Sequence, residues 1–170
     1  MILLEPFSYV DPAGTRWTAP AGSRINGASI PRALWTAVGA PFAGEYRRAS
    51  VVHDWAVQEF GDTDVTPEER KAADRMFYHA CRWGGCIRRF AALLYIGVRT
   101  GAWIGGQAKA FRTAALAEGD EVVRTRVEFD DCRVKFWAIA DDAGPAVLDE
   151  ADLDALDAVI DKHLGSGMAP

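Results

Sequence analysis

Apolar positions recur at helical spacing through the middle of the chain. Ala49, Val52, Ala56 and Phe60 form one stripe within Glu45–Phe60, and Ala73, Phe77 and Ala80 form another within Pro67–Arg82. The spacing predicts two helices, the first closed by Gly61 at its C-cap and the second opened by a Thr66/Glu69 capping box with Pro67 at the first helical position. A third, longer helix is expected from near Cys86 to beyond Gly105. Its Gly97, Gly101 and Gly105 make a smooth ridge that admits a close neighbour. Upstream, "FSYVDPAGTRWTAP" reads as two short strands around an Asp11–Gly14 turn, followed by a Gly/Pro/Ser-rich connection into a short helix near Arg32–Val38. Downstream, "VVRTRVEF" and "CRVKFWAIA" carry strand-like composition. "LDEADLDALDAVIDKHL" is an amphipathic helix with Leu153, Leu156, Ile160 and Leu164 on one face. The expected fold is α+β and mainly α: a short N-terminal antiparallel sheet packed on a bundle of three main helices, with a C-terminal extension.

Charge divides that picture in two. Through residue 117 the chain holds 14 Lys/Arg against 10 Asp/Glu; from residue 118 it holds 5 against 14, within an overall net charge of −5. We therefore read 1–117 as a core domain and 118–170 as an acidic extension that folds back on the basic core or binds a partner. The acidic balance argues against general nucleic-acid binding. Three cysteines, Cys81, Cys86 and Cys132, do not form a secreted disulfide framework, although Cys81 and Cys86 are spaced for a local bridge across "CRWGGC". The most apolar run, Phe90–Val98, falls well short of the roughly twenty residues a spanning helix needs. No transmembrane segment is expected, and the expected location is cytoplasmic.

Three titratable groups interrupt the helical stripes: His53, Asp54 and Asp74. In an antiparallel hairpin of the first two helices, His53 lies seven residues before the turn and Asp74 seven after it, each about 10 Å from it at the helical rise. The two stand at one level. A carboxylate facing an imidazole orients the ring and stabilises its protonated form, which is a general-base arrangement. Asp54 projects about 100° around the helix from His53, toward a cation or a backbone group of the "RINGASIPR" loop. A hard cation such as calcium takes several further oxygen ligands, which loop carbonyls would supply. The arrangement is similar to that of secreted calcium-dependent phospholipases, though without their disulfides. Ser29 is a candidate nucleophile or substrate contact, although a Ser two residues before a Pro near a helix start is more often an N-cap, and Trp55 is a candidate substrate contact. A buried His–Asp pair that only cross-links two helices explains the same residues. No zinc-ligand spacing, P-loop or dinucleotide fingerprint is present.

"APAGSRINGASIPRALW", "YRRASVVHDWAV", "KAADRMFYHA" and "LLYIGVRTGAW", in that order, resemble a family common in phage and prophage genes, the domain of unknown function 1353. The resemblance runs from about Phe7 to Trp103 and implies that Ala28, Ser29, Ile30, Pro31, His53, Asp54, Ala73 and Asp74 are its signature positions. The family usually has an acidic residue where this chain has Asn26, and an aromatic near Ala56–Val57. At Asn26 an oxygen is kept and a charge lost, which weakens any cation site there.

The expected function is a small hydrolase of an ester or amide bond, with His53 as base, Asp74 orienting it, Asp54 and Asn26 on the metal side and Ser29 and Trp55 on the substrate side. The alternative is a non-catalytic virion, tail-accessory or host-interaction protein in which the His–Asp pair is structural. A third reading is a regulator whose acidic extension mimics nucleic acid.

Overall fold

The computed structural model describes residues 1–25, 27, 30–38, 46–57, 65–114, 121–150 and 152–165, with backbone alone over 106–114 and 121–129. Strands β1 (Phe7–Val10) and β2 (Arg16–Ala19) pair antiparallel, Phe7 opposite Ala19 and Val10 opposite Arg16. The turn between them is fixed by Asp11. Its carboxylate accepts the Thr15 N–H at 2.9 Å and the Trp17 indole N–H at 2.9 Å, while Gly14 takes φ +85°, a conformation that favours glycine. A 3-10 turn at Arg32–Leu34 runs into the short helix α1 (Trp35–Val38).

Helix α2 (Arg47–Ala56) packs on the hairpin and on α3 (Pro67–Trp83); α4 (Arg88–Ala114) packs on α3. The expected start at Glu45, the end at Phe60 and the Gly61 cap lie outside the described residues. The α3 N-terminus is built as expected: Thr66 Oγ1 accepts the Glu69 N–H at 3.2 Å and Glu69 accepts the Thr66 N–H at 2.9 Å. Thr66→Ala should cost about 1 kcal/mol in urea unfolding, the usual value of a lost N-cap. At Gly97 the ridge on α4 faces Ile30, but the fit there does not require glycine. A Cβ there would stand 3.5 Å from the Ile30 side chain, whereas one at Gly105 would meet nothing within 4 Å.

The C-terminal third differs from expectation. "VVRTRVEF" and "CRVKFWAIA" are not strands; both lie in one helical stretch, α5 (Glu121–Glu150), interrupted at Gly144 (φ 65°, ψ 174°) before Pro145. The buried set in the second segment explains why. Cys132, Phe136, Ile139, Ala140 and Ala143 recur at three- and four-residue intervals and face α4 and the core. β-branched composition is a weak prior that this packing overrides. Helix α6 (Leu153–Leu164) follows, N-capped by Asp152 on the N–H groups of Asp154 and Ala155. Leu156, Ile160 and Leu164 are buried and Leu153 partly so, the face expected from the sequence. One apolar cluster extends from Ile30 to Leu164 and so includes α5 and α6. The expected boundary at 117/118 lies outside the described residues.

Candidate functional site

The α2–α3 pair brings His53 and Asp74 together. Both face the packed side of their helices among Val52, Ala73 and Phe77, and both are 0% exposed. His53 Nε2 is 2.7 Å from Asp74 Oδ1, and the imidazole lies against the Phe77 ring with centroids 4.9 Å apart. Asp54, 2% exposed, turns the other way around α2, where its Oδ2 accepts the Gly27 N–H at 2.8 Å. Gly27 belongs to the "RINGASIPR" loop, so a backbone group of that loop is one partner of Asp54.

That bond bears on a cation site. An N–H directed at a carboxylate oxygen already delivers positive charge to it, whereas a cation site needs carbonyl or carboxylate oxygens converging from the loop. Among the described residues no group of three or more His, Cys, Asp or Glu side chains stands close enough to hold a metal ion. Asn26 and Ser29 lie outside the described residues. Trp55 is 43% exposed, on a different side of α2 from the sealed His53, so it does not join the His–Asp pair.

Two arginines complete the environment of Asp74. Arg70, one turn earlier on α3, places Nε 3.7 Å from Oδ1, and Arg99 on α4 places Nη1 3.8 Å from Oδ2. Arg99 is 3% exposed and also donates from Nη2 to Asp161 of α6 at 3.3 Å. Lys71 reaches Asp161 at 3.3 Å and Asp157 at 3.2 Å. Arg75 pairs with both Asp157 and Asp154. The buried Tyr95 hydroxyl donates to Asp157 at 2.5 Å. Charges of alternating sign thus run from His53 through α3 and α4 into α6, and the acidic C-terminal helix lies on the basic core. Burial first, then the Asp157 carboxylate, raises the Tyr95 pKa and keeps it a donor; hydrogen bonding from Arg75 holds Asp154 below the usual carboxylate range.

Arg70 was legible in the sequence as the residue four before Asp74 on one helix face. Arg99 carried a signal too, as a cation inside the apolar "LLYIGVRTGAW". Its link to Asp161 spans 62 residues and had none.

A histidine outside this cluster has a shifted pKa. His79, on α3, is partly buried, and that burial lowers its pKa; Asp11 opposes the shift and Arg75 adds to it. A depressed pKa means the folded chain prefers neutral His79. This contribution is complete above the unfolded value of about 6.5 and is lost as pH falls through the folded one. His79→Gln should flatten the fall in urea midpoint that the wild type shows below pH 6.5, a window set by the unfolded value.

The fold and the buried pair define a class: a mainly helical α+β domain with an internal His–Asp–Arg cluster. The family described as "Protein of unknown function (DUF1353)" matches residues 1–98, and the chain belongs to it. The matched span carries His53, Asp54 and Asp74 and stops just short of Arg99. Two proteins of Sinorhizobium fredii (strain NBRC 101917 / NGR234) are similar. "Uncharacterized protein y4jT" is 40% identical over 100 residues, 58% of this chain and 27% of that one; "Uncharacterized protein y4iH" is 35% identical over 97 residues, 57% of this chain and 38% of that one. The chain therefore spans well under half the length of either relative. No solved structure matches it. Among the described residues, no helix is long and apolar enough to cross a membrane.

Proposed function

We propose that the chain is a non-catalytic accessory or interaction protein of phage or prophage origin, in which His53 and Asp74 clamp two helices and Asp54 anchors the preceding loop. The observation that carries this reading is the complete burial of the pair, with Nε2 of the ring engaged by Asp74. A general base must reach the proton it abstracts directly or through one water, and a ring with no exposed surface does not meet a substrate. Asp54 bonded to the Gly27 N–H fits the same role. The phage or prophage origin is supported by the four sequence motifs.

One observation favours the hydrolase reading as the second. Nδ1 of His53 is buried and makes no hydrogen bond among the described residues, and buried polar atoms without partners are uncommon outside working sites. In that reading His53 is the base, Asp74 orients it, and an ester or amide is the substrate class. A screen of chromogenic acyl esters and anilides with wild type and His53→Ala separates the two. The clamp reading expects no turnover that depends on His53. Turnover abolished by His53→Ala, in a variant that melts with the wild type, establishes the hydrolase instead. For the origin, mass spectrometry of particles released on prophage induction should find the chain in the virion fraction or bound to a particle protein.

A further inference from the structure

Two exposed apolar spots of opposite charge character remain outside the cluster around Asp74. The first is the corner between α3 and α4. Trp83 is 85% exposed and Ile87 69% exposed, on either side of the Gly84–Gly85 turn, and Arg88 and Arg89 are exposed beside them. No carboxylate occurs in the sequence between Asp74 and Glu118, so this corner has no local acidic neighbour in the chain. Neither Arg88 nor Arg89 makes an ion pair among the described residues.

The second spot is the outer face of α5. Val134 is 67% exposed and Trp137 47% exposed. Asp130 and Asp141 are also exposed, and the order Asp130, Val134, Trp137, Asp141 follows intervals of four, three and four, which puts all four on one narrow stripe. Asp131 borders this stripe on one side and Arg133 on the other, while Lys135 turns away to the Trp103 ring and the His163 carbonyl. Asp130 and Asp141 make no ion pair among the described residues, unlike the α6 carboxylates.

The two spots do not satisfy each other within one chain. Lys135 lies over the Trp103 ring, 5.8 Å from its centroid, which fixes the level of Val134 and Trp137 along α4. Trp103 is sixteen residues beyond Ile87, so the spots are separated by about 24 Å along the helix axis. Each holds one tryptophan and one branched aliphatic residue with two charges, positive on the corner and negative on the stripe. Aromatic anchors with a rim of complementary charge are the usual make-up of a binding surface, and exposed patches of this kind mark contacts.

We propose that the Trp83/Ile87/Arg88/Arg89 corner of one copy docks on the Asp130/Val134/Trp137/Asp141 stripe of a second copy, a head-to-tail contact. This association stands on the two surfaces alone and is independent of the role of His53. Because the two faces differ, the contact is heterologous: each bound copy leaves one corner and one stripe open, and the chain extends or closes into a ring. The patches are small, so the association belongs to the weak, salt-sensitive class.

Sedimentation equilibrium of the full chain at low salt tests this, with Trp83→Ser/Arg88→Ser/Arg89→Ser and Asp130→Ser/Trp137→Ser/Asp141→Ser as variants at exposed positions, neutral so that the two altered faces do not complement each other. The wild type should show a weight-average mass that rises with concentration above the 18.5 kDa of one chain. Each variant alone should remain at one chain mass. An equimolar mixture of the two should form a species of twice that mass and no larger one, because each variant keeps the face the other has lost. A wild type that stays monomeric throughout overturns the proposal. So does a mixture that fails to recover the dimer, or association that neither variant weakens. A monomeric wild type that co-sediments with phosphatidylserine vesicles, and loses them on Trp83→Ser, shows the corner to be a membrane contact instead.

Discussion

Replacing Asp74 by alanine should remove about 3–5 kcal/mol of folding stability, the usual cost of breaking a buried charged pair from one side. His53 Nε2 would lose its partner inside a helix interface with no access to water. Arg99, 3% exposed, would keep only Asp161, and Arg70 would lose its contact on the same helix. For a chain of this length that corresponds to a fall in melting temperature of about 10 °C or more. Asp74→Asn is the informative companion. It keeps an oxygen near His53 and removes the negative charge that faces two guanidinium groups, so its loss should lie between wild type and alanine. Asp54→Asn should cost less than either, because its amide oxygen can still accept the Gly27 N–H.

A chain ended after Asp152, and so lacking α6, should not unfold cooperatively at all. Leu156 and Ile160 are fully buried and Leu164 nearly so. Deleting side chains of this kind costs about 2–5 kcal/mol each, against a total stability of roughly 5–15 kcal/mol for an ordinary domain. The same cut removes Asp157 from the buried Tyr95 and the partly exposed Arg75, and Asp161 from the buried Arg99. Urea titration followed by circular dichroism should show a broad, sloping change in place of a sigmoidal transition. Leu156→Ala and Ile160→Ala should each retain a sigmoid with a lower midpoint.

Local rules carried much of the fold. The hairpin, the capping box on α3, the span of α4 and the buried face of α6 each follow from residues within a turn or two of one another, where propensity and periodicity act directly. The failure came on α5. Its segments have the β-branched look of strands, and what favours helix in the second is the packing of Cys132, Phe136 and Ile139 into the core, set by tertiary contacts. The level match of His53 and Asp74 was also readable, because helical rise converts residue counts into distance. Rotation about the helix axes was not, so whether the pair was sealed or open could not be read from spacing. Arg99 and α6 joined the cluster through contacts across some sixty residues, for which a single sequence has no local signal.

The central claim is that His53 and Asp74 bind α2 to α3 and serve stability. A double-mutant cycle of His53→Ala, Asp74→Ala and the pair, read by urea unfolding, tests it most directly. We predict that each single variant loses at least about 2 kcal/mol and that the pair loses less than the sum by about 1–3 kcal/mol, the coupling expected of residues in direct contact. A His53→Ala variant as stable as the wild type, with a coupling below about 0.5 kcal/mol, would contradict it, since groups held for chemistry are often kept at a cost in stability.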